Sequence, residues 1–129
     1  MWYQKFNLDG DLIFFTKRTI SSIIEEDALT FVMFSVDWCH PCVEMMAHMS
    51  AAAEKTADFK GKIKVGIYEC EEKDPLCDIY DVTAFPTFIG FREGKEIPDA
   101  RYVGALGDKE LLREVRDLAD KKERLIKQK

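Results

Sequence analysis

Phe31-Val32-Met33-Phe34-Ser35-Val36-Asp37-Trp38-Cys39-His40-Pro41-Cys42-Val43 is the stretch on which the fold turns. It opens inside a run, Ala28 to Val36, that is apolar nearly throughout, as in a strand covered on both faces of a partly parallel sheet. The run ends at Asp37-Trp38, and two cysteines follow three positions apart. Beyond them Val43, Met46, Ala47, Ser50 and Ala51 recur at the spacing of one helix face, with Glu44, His48 and Glu54 elsewhere. A central strand therefore leads into a helix that begins at or just after Cys39, with both thiols in its first turn.

That placement has chemical consequences. First-turn amides have no intrahelical acceptor, and the helix dipole presents partial positive charge there, so a thiolate on Cys39 is stabilised. Such sites lower a cysteine pKa from about 8.5 into the range of roughly 3.5 to 7.5. Cys42, about one turn on, lies on the same side and deeper, where it can attack a mixed disulfide formed at Cys39. Pro41 lacks an N–H, but a first-turn residue has no intrahelical use for one. Two other readings of a lone Cys-x-x-Cys stand beside this one, a half zinc site and a pair of buried thiols. Zinc needs further ligands at suitable spacing, whereas Cys70 and Cys77 are seven apart and the histidines are His40, inside the motif, and His48.

Outward from this stretch, Leu12-Ile13-Phe14-Phe15 reads as a short strand, and Ile20, Ile23 and Ile24 share one helix face. Ile63, Val65 and Ile67 alternate with Lys64, Gly66 and Tyr68 in a third strand, and Asp74-Pro75 to Tyr80 forms a short helix. Thr87 to Phe91, a turn at Glu93-Gly94-Lys95 and a strand near Arg101 to Val103 make an antiparallel hairpin. A last helix is capped by Asp108 and buries Leu111, Leu112, Val115, Leu118 and Ala119 before Lys121-Lys122-Glu123-Arg124 turns it to solvent. The order β-α-β-α-β-α-β-β-α predicts one α/β domain over residues 1–129, a central mixed sheet with helices on both faces. Residues 1–10 read as an N-terminal extension and 121–129 as a polar helix end or tail.

The 129 residues, 47% hydrophobic and 12% aromatic, suffice for one core and are too few for two ordinary domains. A formal charge of -5 argues against a nucleic-acid partner, which needs clustered Lys and Arg in excess. The apolar runs are too short to span a membrane, and the stretch Met1 to Gly10 lacks a basic start followed by an apolar core. Two settings fit equally, an intracellular one and one reached with a leader that has been removed.

Trp38-Cys39-x-x-Cys42, followed 44 positions after Trp38 by Val82-x-x-Phe85-Pro86-Thr87 and then by Gly94 and Gly104 at turns, resembles the thioredoxin superfamily across almost the whole chain. The resemblance implies a thioredoxin fold, a thiol–disulfide oxidoreductase with Cys39 as nucleophile and Cys42 as resolving thiol, and a cis Phe85–Pro86 peptide facing the dithiol. It also implies an extended substrate segment pairing with the Phe85 backbone, a strand-like docking edge. Trp38, His40, Pro41, Phe85 and Pro86 become the candidate substrate contacts, with core packing the plainer reading of Trp38. The implied partners are protein or peptide disulfides and an unidentified redox partner, with no cofactor beyond the dithiol.

Within the superfamily, Glu69-Cys70, Leu76-Cys77, Tyr80-x-Val82 and Phe85-Pro86-Thr87 most resemble the catalytic domains of protein disulfide isomerases. In some of those domains, cysteines at this separation, the second nine residues before the cis-proline, form a structural disulfide; Cys70 and Cys77 match both spacings. If they pair, the domain belongs to the endoplasmic reticulum lumen or another oxidising compartment; if they are reduced, to the cytoplasm.

The chain departs from the pattern at three points. The acid that the family places six residues before the nucleophile, as proton acceptor for the second cysteine, is Met33, and the isomerase lysine that partners it aligns with Ile67. Exchanging both avoids an uncompensated buried charge, so the penalty is expected in the rate of resolution and not in stability. The isomerase arginine after the Tyr102-Val103-Gly104 turn is Leu106. The middle pair His40-Pro41 is mixed: proline before the second cysteine resembles the reducing members, while a protonated His40 beside the thiolate favours the reduced form and hence oxidation of substrates. The direction of exchange stays open. Met33, Met45, Met46 and Met49 read as core fillers, and His48 as a helix-face residue without catalytic weight. The competing function is a thioredoxin-fold binding or chaperone module whose dithiol is slow or vestigial; a metal carrier is a third.

Overall fold

The structure, a computed structural model, describes residues 12–25, 28–56, 63–104, 106, 110–111 and 113–114. The elements are β1 (Ile13–Phe15), α1 (Ile20–Ile24), β2 (Leu29–Ser35), α2 (His40–Lys55), β3 (Ile63–Glu69), α3 (Pro75–Ile79), β4 (Thr87–Arg92) and β5 (Lys95–Val103). Residues 110–111 and 113–114 are helical as well. The Asp108 cap, Leu112, Val115, Leu118, Ala119, the segment 1–10 and the segment 121–129 lie outside the described residues.

The five strands form one sheet in the order β1-β3-β2-β4-β5. β1, β3 and β2 run parallel, while β4 is antiparallel to both β2 and β5. β2 is central and every one of its residues is buried, which is why its sequence is apolar without alternation. The crossovers β1-α1-β2 and β2-α2-β3 run in opposite directions along the sheet, so their common right-handedness puts α1 and α2 on opposite faces. α3 covers the face of Phe34, Tyr68 and Phe91: the Tyr80 ring at its end meets Phe91 edge-on at 4.9 Å, and Phe34 meets Tyr68 at 5.9 Å. α2 covers the other face, where Phe31, Met33, Ile67 and Phe88 are fully buried.

The buried side of α2 differs from the stripe expected from its sequence. Cys42, Met45, Met46, Met49, Ser50, Ala52 and Ala53 are buried, whereas Ala47 is exposed and Val43 and Ala51 are half-buried. Drawing Cys42 into the core rotates the helix so that the long methionines fill the space over the sheet, a demand that a periodicity count of small and large apolar residues does not weigh. Gly66, in the middle of β3, is a packing requirement. A Cβ there would meet the Phe15 ring, with Cζ at 2.7 Å, and the Ile13 carbonyl oxygen at 2.6 Å.

Candidate active site at the start of α2

β2 ends at Ser35, and the chain turns through Val36, Asp37 and Trp38 before α2 begins. Cys39 is the N-cap: its backbone is extended, and its sulfur accepts the Cys42 N–H at 3.1 Å. Pro41 sits in the first turn, where the absent N–H is harmless. Cys39 and Cys42 are joined as a disulfide, with their Cα atoms 5.2 Å apart. The sulfur that accepts an amide N–H at a helix N-terminus is the one on which negative charge is best stabilised after reduction, so the asymmetry between the two cysteines is built into the cap.

Both cysteines are closed off in this oxidised form: Cys39 is 2% exposed and Cys42 0%. Trp38 is 76% exposed instead, and its ring stands edge-on to Phe85 at 6.1 Å. The plainer reading of Trp38 as a core residue is thereby excluded. His40 and Pro41 are exposed beside it, Phe85 is half-buried and Pro86 buried.

The Phe85–Pro86 bond is cis. Its loop is held from several sides: the Gly104 N–H donates to the Pro86 carbonyl at 2.9 Å, Thr87 Oγ1 to the Ala84 carbonyl at 2.6 Å, and the Val82 N–H to the Cys77 carbonyl at 2.9 Å. Arg101 on β5 pairs with Glu96 at 2.7 Å and donates to the carbonyls of Tyr80 and Asp81, which ties the loop's entry to the hairpin. The hydrogen bond to Glu96 is the main reason the Arg101 pKa is raised. Burial, followed by the Glu96 and Glu25 charges, raises that of the Tyr80 hydroxyl.

Trp38 and Phe85 form one lip of a cleft of about 630 Å³ whose far wall is the segment Glu69 to Asp74 and α3. Cys70 and Cys77 are joined in that wall, 8% and 4% exposed. Asp74, 3% exposed, organises it: its carboxylate accepts from the Tyr68 hydroxyl at 2.7 Å, the Leu76 N–H at 3.1 Å and the Glu71 N–H at 3.2 Å, capping α3 as it does so. Lys17 reaches Glu71 at 2.7 Å on the outside, and that hydrogen bond raises the lysine pKa. The Asp-Pro start of a helix is a readable capping signal; the triple acceptor role of Asp74 and the Arg101 clamp come from sequence-distant partners.

Met33 and Ile67 are side by side in the β2–β3 ladder and both 0% exposed, so the apolar exchange expected from the sequence occupies one buried position. Leu106 is half-buried and packs against the core. His48 is half-buried on α2. No group of three or more metal-ligating side chains occurs among the described residues.

Residues 11–117 match the family model described as Thioredoxin. The chain belongs to the thioredoxin family. A protein disulfide isomerase-like 5-1 of Oryza sativa subsp. japonica is 32% identical over 113 residues, covering 87% of this chain and 75% of that protein. Thioredoxin Y, chloroplastic, of the same organism is 33% identical over 103 residues, covering 77% of this chain and 58% of that one. Among solved structures, the first thioredoxin domain of mouse protein disulfide-isomerase A4 superposes with a TM-score of 0.72 at 17% identity, covering 86% of this chain and 77% of that chain, a likeness of fold. With a bonded Cys39–Cys42 pair at the start of α2, this thioredoxin-family chain is a thiol–disulfide oxidoreductase.

Proposed function

We propose that Cys39 is the nucleophile and Cys42 the resolving thiol in exchange with disulfides of polypeptide substrates, which lie across the lip formed by Trp38 and Phe85. The observation that carries this reading is the bonded cysteine pair at the α2 cap with an exposed Trp38 ring beside Phe85. In the reducing direction a Cys39 thiolate attacks one substrate sulfur, the substrate disulfide breaks, and the displaced sulfur leaves as a thiolate. Cys42 then attacks Cys39, releasing the second substrate sulfur and closing the internal disulfide. His40, Pro41 and Pro86 complete the contact surface around the reacting sulfur.

The bridged Cys70–Cys77 pair favours a compartment oxidising enough to maintain it. The buried Met33–Ile67 pair favours a second reading, a binding or chaperone module with a slow dithiol. Insulin reduction by dithiothreitol separates the two. The wild-type chain should accelerate precipitation of the insulin B chain and Cys39→Ser should return it to the uncatalysed rate; equal rates for both proteins would leave the module reading in place of the enzyme.

A further inference from the structure

The cleft behind the Trp38–Phe85 lip holds a charge that the rest of the chain lacks. Among the described residues that line it, six carry carboxylates and one, Lys73, carries a positive charge. Of the chain's 24 acidic and 19 basic side chains these leave 18 of each, so the lining accounts for the whole formal charge of -5. A generally acidic composition therefore does not explain the cleft; the excess sits in one place, beside the dithiol.

Two of the carboxylates are committed within the fold. Asp74 is buried and taken up by its three donors, and Glu71 is held by Lys17. Glu69 is half-buried at the end of β3. Asp37, Glu72 and Asp78 are exposed, and they come from three segments: the β2–α2 connection, the β3–α3 connection and α3 itself. Like charges gathered around one concavity repel one another, and its low-dielectric walls focus their field into it.

The occupant that fits is a basic side chain of the polypeptide undergoing exchange. Among the described residues no three metal-ligating side chains are grouped to hold a metal ion, so the negative charge is spread around the cleft and not gathered on a point. A spread of acceptors suits the flexible stem and several donors of Lys or Arg. The Trp38 ring favours a cation independently of the carboxylates: it is exposed on the same cleft, and Trp is the best aromatic partner for Lys and Arg. A volume of about 630 Å³ lies within the roughly 300–1,000 Å³ of small-ligand sites and admits such a side chain with its water. Trp38 adjoins Cys39 in the chain and Phe85 adjoins the cis-proline, so a substrate segment bonded to Cys39 passes the mouth of the cleft. Residues of an extended segment are about 3.3 Å apart, which brings a basic residue within about three positions of the bonded cysteine into reach.

We propose that this cleft selects disulfide substrates that carry Lys or Arg close in sequence to the cysteine attacked by Cys39, with Asp37, Glu72 and Asp78 supplying the attraction and Trp38 the cation-binding face. This rests on the function proposed above and names its substrate class. The carboxylate field acts on encounter, drawing in cationic segments and repelling acidic ones, so the preference appears in the second-order rate and weakens with salt. The exchange itself is unchanged: the reduced dithiol is oxidised to the Cys39–Cys42 bond as the substrate disulfide is reduced to two thiols.

The test uses the full chain, reduced with dithiothreitol and then freed of it, against disulfide-linked dimers of one short peptide with Lys, Gln or Glu beside its single cysteine. Thiol release at neutral pH gives a second-order rate for each, divided by the rate of the same peptide with dithiothreitol alone to remove the effect of the neighbouring charge on the disulfide itself. At about 20 mM ionic strength the Lys peptide should react at least about tenfold faster than the Glu peptide, with Gln between them, and the ratio should fall toward one at about 0.5 M salt. Asp37→Asn combined with Glu72→Gln and Asp78→Asn should bring the low-salt ratio close to one. Glu54→Gln combined with Glu93→Gln and Glu110→Gln makes the same change in net charge at exposed positions outside the lining and should keep the ratio. Urea midpoints confirm that each variant is folded, while the peptide series and its salt dependence stand on the wild-type chain alone. Equal rates for the Lys and Glu peptides with the wild-type chain, or an equal loss of preference in both triple variants, would overturn the cleft as the selector. Reduction of none of the peptides would overturn the oxidoreductase mechanism, and the selection with it.

Discussion

Met33→Glu puts a carboxyl into a site that is 0% exposed and faces Ile67, with no cation beside it in the ladder. Burial disfavours the charged form and raises the folded-state pKa above the unfolded value of about 4.3. The sign follows directly: below about pH 4 the side chain is neutral in both states and no charge penalty applies. Stability is then lost as pH rises, by about 1.4 kcal/mol per unit, until the folded-state pKa is passed. From about 4.3 to neutral pH this amounts to about 3.7 kcal/mol, within the roughly 3–5 kcal/mol found for an uncompensated buried charge. At pH 5 the same arithmetic gives about 1 kcal/mol.

Urea unfolding of Met33→Glu at the two pH values should therefore show a loss that grows by about 2.7 kcal/mol between them. Adding Ile67→Lys places a partner at the register neighbour and should recover most of it. The double variant should also release a peptide thiol from its Cys39 mixed disulfide faster than wild type, followed in a single turnover. A stability loss equal at both pH values would refute the reasoning about burial. A double variant that releases no faster would show that an acid at position 33 has no bearing on resolution.

Two further outcomes follow from the packing. Replacing both Cys70 and Cys77 by alanine opens a loop whose ends are seven positions apart, and the chain-entropy relation gives a loss of about 2.5 kcal/mol, measurable by urea unfolding without reductant; a loss near zero would show the bridge to be absent in solution. Gly66→Ala forces a methyl against the Phe15 ring and the Ile13 carbonyl and should cost about 3 kcal/mol or more, the upper part of the overpacking range, because one of the two obstacles is backbone; a thermal midpoint within a degree or two of wild type, read by circular dichroism, would contradict the contact.

Much of this protein is legible in local sequence, and the reasons are local. An unbroken apolar run before Trp38 marks a two-face-buried strand, Cys-x-x-Cys after it marks a helix start, and Asp74-Pro75 marks another, because periodicity and first-turn chemistry act within a few residues. The apolar exchange at Met33 and Ile67 is visible through the family resemblance, which assigns a buried acid and its lysine partner to those positions, and the β2–β3 register then sets the two side by side. What tertiary structure decided is everything that depends on which strand lies beside which. The methionines of α2 are core fillers as their sequence suggests, but the side of α2 that is buried was set by Cys42 and those methionines filling the space above the sheet, so Ala47 is exposed and Val43 and Ala51 are half-buried. Gly66 is small because Phe15 crosses it, Arg101 clamps a loop twenty residues away, and Asp74 gathers three donors. Ser35 reads in sequence as a polar interruption of an apolar run; only the packing of the sheet shows it fully buried as the register partner of Glu69. Burial and register arise from packing between distant segments, and no local pattern carries that information.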